Sequence, residues 1–316
     1  MLGIPTNFWD AQWRFLYRII ALGLYYTLDL WYAFGRRSAF PVWMPLPFNF
    51  MYSFSRGSRH RRVEDKSSIV YRYDLDNIEI IAVGDTLSTF EPFIAGMTKT
   101  LFIHLGDLCY GHDTIRPFDN FKEDLLLVPG CREMIPFNYH KLWNETYINK
   151  YYSTAYYSRK IILKWFSIKI IVIHSFVVPG SRYYYDMIDW LSNAVLSDEK
   201  YKIVCSHVAP YSTSRHGPDY LIRNIISAAN IEGKFDLYLS AHEHCYQHFN
   251  VNGTHYVGNG LGGKSSYNFF SESQNLITKY NEKPAVLKVK ICTAQIAIEL
   301  VNIDQVVIDH FTINDV

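Results

Sequence analysis

The stretch Leu101-Phe102-Ile103-His104-Leu105-Gly106-Asp107 decides the fold, because it runs an apolar segment directly into a glycine and a carboxylate. An earlier stretch, Ile78-Glu79-Ile80-Ile81-Ala82-Val83-Gly84-Asp85, repeats that arrangement. Each apolar run is typical of a buried strand. Glycine lets the backbone turn and approach a ligand closely, and the carboxyl ends of parallel strands are where ligands gather. We therefore predict that Asp85 and Asp107 lie at one edge of a sheet.

Two further predicted strands bring histidines to the same edge. Lys202–Cys205 is followed by His207, and Phe235–Leu239 is followed by His242 and His244. Each feature alone has an ordinary structural explanation, since Asp after Gly is common in turns and helix caps and a single histidine is often a core or surface residue. Two imidazoles separated by one residue after a strand are harder to explain by packing.

Carboxylate and imidazole groups together predict a metal site. This mixed oxygen and nitrogen set suits iron, zinc or manganese and does not select calcium. A shared carboxylate, for which Asp107 is the candidate, can bridge two ions about 3.5 to 4 Å apart. Tyr110 could add a phenolate, which favours Fe(III) in one of the two positions.

The order of these motifs resembles that of the calcineurin-like metallophosphoesterases, and within them the purple acid phosphatases of the tartrate-resistant type. The resemblance runs from about Ile78 to about Ile313, and its strength lies in the shared order and spacing of several short motifs. These are Gly84-Asp85, Gly106-Asp107-Leu108-Cys109-Tyr110, Pro129-Gly130, His207 to Tyr211, His216-Gly217-Pro218, Ser240 to His244 and the glycine-rich Gly258 to Gly263.

The resemblance implies an α/β fold, a four-layer metallophosphoesterase sandwich of two mixed β-sheets flanked by helices. It also implies a dinuclear site with Fe(III) in one position and Zn, Fe or Mn in the other. The iron ligands would be Asp85, Asp107, Tyr110 and His244. The second ion would be held by Asp107, His207 and His242, and His216 matches a family position that assists the leaving group.

One motif departs from the family pattern. Where the family has Gly-Asn-His-Glu or Gly-Asn-His-Asp, this chain has Gly130-Cys131-Arg132-Glu133. Cys131 can ligate zinc as a thiolate in place of the asparagine. Arg132 can hold a phosphate, but its pKa above about 12 prevents it from exchanging protons as the family histidine does. The altered corner therefore predicts slow or lost hydrolysis, and a degenerate site could hold a single metal or none.

The first 77 residues differ from the rest in character. The mostly apolar segment 15–34 is about long enough to cross a bilayer, although Arg18 and Asp29 interrupt it. It predicts a membrane-embedded or partner-docked helix, with an ordinary core helix as the alternative. An aromatic and proline-rich arm (40–50) and a basic run (56–62) follow it, and the basic run is either a solvated linker or a contact with anionic lipid.

Composition sets the remaining limits. The chain has 316 residues, 49% of them hydrophobic, and a net charge of +1. A charge this close to zero does not indicate a nucleic-acid partner. Its five cysteines contain no Cys-x-x-Cys and predict a reducing compartment. We divide the chain into an N-terminal region, 1–77, and a calcineurin-like metallophosphoesterase domain, 78–316.

The sequence is consistent with two functions of different class. In the first, the chain is a membrane-associated pseudoenzyme with impaired or lost hydrolase activity, an accessory subunit of a membrane complex that contacts its partners through residues 1–62. Because basic residues follow segment 15–34, we expect the main domain on the cytoplasmic or matrix side, with the mitochondrial inner membrane as a candidate. In the second, it is an active di-metal phosphomonoesterase that hydrolyses phosphate esters with a metal-bound hydroxide.

Overall fold

The computed structural model of the protein describes residues 68–97, 99–108, 125–132, 156–177 and 179–314. Within those ranges no helix is both long and apolar enough to span a bilayer. The predicted apolar helix, the aromatic arm, the basic run and Tyr110 lie outside the described residues. The proposed division at residue 77 stays a prediction, although the first strand of the described chain begins before it, at Ser68.

Strands in the described ranges build two sheets. In chain order they are β1 (Ser68–Arg72), β2 (Ile78–Val83), β3 (Leu101–His104), β4 (Leu125–Leu127), β5 (Tyr157–Ile162), β6 (Ser167–Val172), β7 (Tyr201–Cys205), β8 (Leu237–Ser240), β9 (Tyr246–Val251), β10 (Thr254–Asn259), β11 (Leu276–Tyr280), β12 (Ala285–Ile291), β13 (Gln295–Asn302) and β14 (Val307–Asn314).

Both sheets mix parallel and antiparallel pairs. The eight-stranded sheet has the order β1-β5-β6-β7-β8-β10-β9-β11, and the six-stranded sheet has the order β14-β13-β12-β2-β3-β4. Strands β2, β3 and β4 are parallel neighbours, as are β6, β7 and β8. Because parallel neighbours end at the same edge, each sheet offers a row of strand ends at which side chains can converge.

The central strands are apolar because both of their faces are covered. Every residue of β3 is buried, and β2 is buried apart from Glu79. Buried residues from both sheets form one hydrophobic core, which includes Ile80, Phe102, Ile203 and Leu239. The two mixed sheets confirm the predicted metallophosphoesterase sandwich, with strand limits within two residues of those predicted for β2, β3, β7 and β8.

Three α-helices lie in the described ranges: α1 (Glu91–Ala95), α2 (Arg182–Ala194) and α3 (Tyr220–Ala228). Helix α3 begins where the Asp219 carboxylate accepts a hydrogen bond from the amide of Ile222 at 3.0 Å, which satisfies one of the free amides of the first turn. Its apolar residues recur at helical spacing, so that one face is buried.

The chain divides into two compact units. Residues 61–176 and 187–316 form the larger unit, which holds both sheets and every site residue discussed below. The described residues 177 and 179–186 belong to the other unit.

Candidate metal centre

The predicted site residues that the structure describes follow the ends of parallel strands. Asp85 follows β2, Asp107 follows β3 and Cys131 follows β4 in one sheet, while His207 follows β7 and His242 follows β8 in the other. The structure brings them together. The potential ligand atoms of Asp85, Asp107 and His207 lie within 4.8 Å of one another, and so do those of Cys131, His207 and His242.

The backbone at these positions is strained. Asp85, Asp107 and His242 have positive φ angles of 57°, 59° and 67°, in the left-handed region that residues with a Cβ rarely adopt. Such a conformation costs roughly 1 to 2 kcal/mol per residue, and strain of this kind gathers at functional sites. Three strained residues in one cluster indicate that the fold holds these side chains in place at the expense of stability.

Glycine at position 106 makes the close approach possible. Its φ is 96°, and a Cβ there would lie 2.6 Å from Nδ1 of His207 and 2.8 Å from Cα of Gly130. No larger side chain fits without moving the backbone, since real Cβ contacts do not fall below 3.0 Å. The Gly-Asp pair is therefore a steric requirement of the convergence between the β3, β4 and β7 ends.

The first half of the cluster is built on Asp85. Its Oδ2 accepts a hydrogen bond from the amide of His242 at 2.8 Å, and its Oδ1 lies 3.4 Å from Nε2 of His244. Nδ1 of His244 lies 2.9 Å from the carbonyl oxygen of Ser265. Because a carbonyl oxygen can only accept, Nδ1 carries the proton, and in the neutral ring Nε2 presents a lone pair towards Asp85.

The second half is built on Asp107 and again places an imidazole nitrogen beside a carboxylate. His207 donates from Nδ1 to the carbonyl oxygen of Leu105 at 2.8 Å, which leaves the Nε2 lone pair 3.4 Å from Oδ1 of Asp107. The amide of Arg132 donates to that Oδ1 at 2.8 Å, and the Cys131 thiol donates to Oδ2 at 3.1 Å. The arginine side chain is nearly half exposed, with Nε 4.0 Å from Oδ2.

These contacts fit a metal cation. In both halves an imidazole nitrogen faces a carboxylate oxygen, and when the ring is neutral the two electron-rich atoms so placed are stabilised by a cation shared between them. The outer nitrogen of each ring is held by a backbone carbonyl, as metal-ligating histidines usually are. Asp85 and His207 are fully buried and Asp107 nearly so, and a cation lowers the cost of burying two carboxylates close together. The cluster is therefore a candidate Asp/His metal centre.

Residues 79–246, just over half of the chain, match the calcineurin-like phosphoesterase family. The chain belongs to this family. No curated protein gives a significant sequence match. The family match confirms the resemblance drawn from the order of the motifs.

Solved structures with the same fold support that assignment. GAP50, the anchor in the inner membrane complex of Plasmodium, is 14% identical with a TM-score of 0.60, over 77% of this chain and 90% of GAP50. The purple acid phosphatase PPD1 from yellow lupin (Lupinus luteus) seeds is 16% identical with a TM-score of 0.58, over 75% of this chain and 54% of PPD1. A dimetal phosphatase from Danio rerio is 10% identical with a TM-score of 0.53, over 76% and 99%. At these identities the likeness shows the fold alone.

His216 lies beside the cluster of this phosphoesterase. Its ring stacks on that of His242, with centroids 4.4 Å apart and planes at 23°. Oε1 of Glu243 accepts the amide of His216 at 2.9 Å and lies 3.1 Å from its Nδ1. The carboxylate thereby fixes the backbone of His216 and lies close to its ring, although Nδ1 makes no hydrogen bond within the described residues. Sequence reasoning treated Glu243 only as a neighbour of the two histidines and missed this role.

Tyr267 is a second residue that sequence reasoning missed. Its ring stacks on His244, with centroids 4.1 Å apart and planes at 14°, and meets His216 edge-on at 5.4 Å. The Arg215 guanidinium lies 5.0 Å from the Tyr267 centroid. No local motif could have indicated Tyr267, because it comes from the irregular segment between β10 and β11.

His104 forms hydrogen bonds to both turns that carry the aspartates. Its Nδ1 accepts the amide of Gly106 at 3.2 Å, so that Nε2 carries the proton and donates to the Thr86 hydroxyl at 2.7 Å. Burial, and after it the proximity of His207, lowers the pKa of His104 to about 3. The ring is therefore neutral and acts as a crosslink between the turn after β2 and the turn after β3.

Proposed function

We propose that this chain is a metal-binding calcineurin-like phosphoesterase with impaired or lost phosphate-ester hydrolysis, which serves as an accessory subunit at a membrane. The observation that carries the proposal is the pair Cys131 and Arg132 in the altered motif. Both residues donate hydrogen bonds to Asp107, Cys131 from its thiol at 3.1 Å and Arg132 from its backbone amide at 2.8 Å. The family motif has an asparagine ligand and a titrating histidine at these two positions, and this chain has neither there.

The donor groups divide between two ions. Asp85, Asp107 and His244, with Tyr110 as predicted from the sequence, would hold Fe(III). Asp107, His207, His242 and Cys131 would hold Zn, Fe or Mn. When bound, such a pair of ions holds a phosphate ester and supplies the hydroxide that attacks phosphorus.

The chain's own residues can perform only part of the remaining work. Arg132, exposed and close to Asp107, can bind a phosphate oxygen, but its guanidinium keeps its proton throughout the physiological pH range. Nδ1 of His216 lies beside the Glu243 carboxylate, which leaves Nε2 as the atom that could protonate a leaving group. Loss of a single electrostatic or acid-base contributor commonly slows a reaction about a hundred- to a thousandfold.

The membrane role rests on the N-terminal region and on a structural parallel. The apolar segment 15–34 and the basic run 56–62 predict attachment to a membrane or a membrane protein. GAP50, which has a similar fold, is described as an anchor in a membrane complex. Because basic residues follow segment 15–34, we propose that the phosphoesterase domain lies on the cytoplasmic or matrix side of a membrane, with the mitochondrial inner membrane as the candidate.

His216 and Glu243 favour a second candidate function, the active di-metal phosphomonoesterase. A buried carboxylate close to a histidine beside the metal centre is a usual arrangement for an acid catalyst. Under this alternative, Arg132 binds substrate and His216 alone handles the proton.

One experiment separates the two. The full chain is purified with whatever assembly accompanies it, its iron, zinc and manganese are measured, and hydrolysis of an aryl phosphate is followed from acidic to neutral pH. We expect bound metal, little or no turnover in the wild type, and a gain of activity in the C131N/R132H double variant. Fast wild-type turnover that an Asp107→Asn change abolishes would establish the phosphomonoesterase instead.

The membrane proposal has its own test. After cell fractionation and alkaline carbonate extraction, we expect the full chain to stay in the membrane pellet, either embedded or with its partners. Quantitative release as a monomer into the soluble fraction before extraction would contradict it.

A further inference from the structure

The two halves of the metal centre offer donors of different chemical softness. The Asp85 half presents carboxylate oxygens and the imidazole of His244. The other half adds a sulfur atom, since Sγ of Cys131 lies within 4.8 Å of nitrogen atoms of both His207 and His242 and 3.1 Å from Oδ2 of Asp107. One sulfur and two nitrogens make a three-donor group, and the Asp107 carboxylate, which lies beside Cys131 and His207, would complete a four-donor set.

This four-donor set suits one kind of ion. Zinc in proteins is typically held by four tetrahedral ligands drawn from cysteine, histidine and carboxylate. Manganese and magnesium prefer sites made of oxygen donors, and a thiolate selects against them. Nδ1 of His207 donates its proton to the Leu105 carbonyl. The neutral ring is therefore in the tautomer whose Nε2 can bind a metal ion.

The thiolate also changes the charge of the occupied site. A divalent ion bound by the Cys131 thiolate, the Asp107 carboxylate and two neutral imidazoles has no net charge. With an amide in place of the thiolate, the same site keeps one positive charge. Because the attraction for a phosphate oxygen scales with that charge, the change to cysteine weakens the very interaction that holds a substrate.

We infer that Cys131 makes this half of the centre a zinc-selective thiolate site that retains its ion and attracts phosphate weakly. The inference rests on the proposed function, in that it assumes metal binding, and it names the cause of impaired hydrolysis. Zinc here has a structural role: it ties together the turns after β3, β4, β7 and β8, which come from both sheets.

Cobalt titration tests the thiolate directly. The full-length protein is stripped of metal and titrated with Co²⁺, which gives a near-ultraviolet sulfur-to-metal charge-transfer band when a thiolate ligates it. We expect this band in the wild type and in Cys292→Ser, a matched cysteine change outside the centre. It should be absent from Cys131→Asn and Cys131→Ser. A band that persists in both Cys131 variants would overturn the inference.

Competition between metals measures the selectivity. We expect Zn²⁺ to displace Mn²⁺ from the wild type, and the ratio of the two affinities to fall by about tenfold or more in Cys131→Asn, in line with what altered metal surroundings commonly cost. An unchanged ratio would overturn the inference.

A third test uses only the wild type, so that its result does not depend on whether the variants fold. Alkylation mapped by mass spectrometry should show Cys131 protected by Zn²⁺ and left reactive by the same concentration of Mn²⁺. Equal reactivity under both metals would contradict zinc ligation by Cys131. The proposed function fails separately, because rapid wild-type hydrolysis of a phosphate ester would refute it whether or not the cobalt band appears.

Discussion

Two clusters in this molecule contain the same residue types, histidine and aspartate, but differ in their roles. One is the metal centre. The other, the inter-sheet cluster, consists of Tyr246, His248, His255, Asp309 and Phe311, and it links β9 and β10 of one sheet to β14 of the other. Nε2 of His248 lies 2.8 Å from Nδ1 of His255, and Tyr246 donates to Asp309 at 2.6 Å. Phe311 stacks on His248 at 3.9 Å and on His255 at 5.1 Å.

The difference between the clusters lies in where the polar atoms point. In the inter-sheet cluster the side chains bond to one another within regular strands, and an aromatic ring covers them. In the metal centre, backbone carbonyls hold the outer nitrogens of His207 and His244, the inner nitrogens face carboxylates, and three residues have a strained backbone. A cluster that closes on itself stabilises the fold, whereas a cluster held open by strained turns is organised for a ligand.

The largest effect that this comparison predicts is on metal affinity. Asp107 belongs to both halves of the centre, so Asp107→Asn should weaken metal binding by more than roughly a hundredfold, the upper end of what loss of an outer-shell partner costs. Asparagine tolerates the left-handed backbone, so the fold should survive. Elemental analysis and zinc titration measure the effect, with exposed Asp304→Asn as control. An unchanged metal content in the Asp107 variant would remove the distinction between the two clusters.

The inter-sheet cluster should respond in stability and not in metal content. Asp309→Ala leaves the buried Tyr246 hydroxyl without its acceptor, which costs about 1 to 3 kcal/mol in the free energy of unfolding. The matched change Asp304→Ala breaks an exposed pair with Lys283 and should cost clearly less, because solvent screens exposed ion pairs. Denaturant unfolding gives both values. If Asp309→Ala lowered the metal content while the fold stayed stable, the cluster would have a role beyond packing.

Tyr267 should act as a positioning residue for His244. Tyr267→Ala removes the stacked ring and should weaken metal binding in the Asp85 half about tenfold, the range expected for an orienting partner of a ligand. Tyr267→Phe keeps the ring and should restore wild-type affinity, which a purely structural effect of the hydroxyl would not. Iron titration of both variants decides the point, and equal losses in the two would refute the role of stacking.

The last predicted effect is a dependence of stability on pH. Burial lowers the pKa of His174 to about 4, and burial together with His248 lowers the pKa of His255 to about 4. From their usual value near 6.5 down to about 4, the unfolded chain binds protons that the folded chain does not. Stability of the metal-free protein should therefore fall as the pH drops through this window. His255→Gln should reduce the slope, and an identical slope would show that His255 does not contribute.

Sequence patterns predicted the parts of the fold that carry strong apolar runs. Strands β2, β3, β7 and β8 each read as continuous buried segments, and four of the described site residues follow directly from them. The pattern failed for β1, β4, β9, β10 and β11. β4 is only three residues long, and β9 and β10 carry glutamine, histidine and asparagine in buried positions that tertiary hydrogen bonds satisfy.

The site was predictable wherever a short motif encodes it. Asp85, Asp107, His207, His242 and His244 lie in such motifs, and the structure places them together. Tyr267 and His104 were missed because their roles depend on contacts between segments distant in sequence, such as the stacking of Tyr267 on His244. Tyr110 stays a prediction, as do the metal identities and the membrane attachment.

Anomalous diffraction from crystals of the purified, zinc-loaded chain tests the central claim most directly. We predict a zinc peak bounded by Asp107, Cys131, His207 and His242, with the sulfur within bonding distance, about 2.3 Å, of the ion. A centre that binds no zinc, or in which the thiol of Cys131 remains on Asp107 while zinc lies elsewhere, would contradict it.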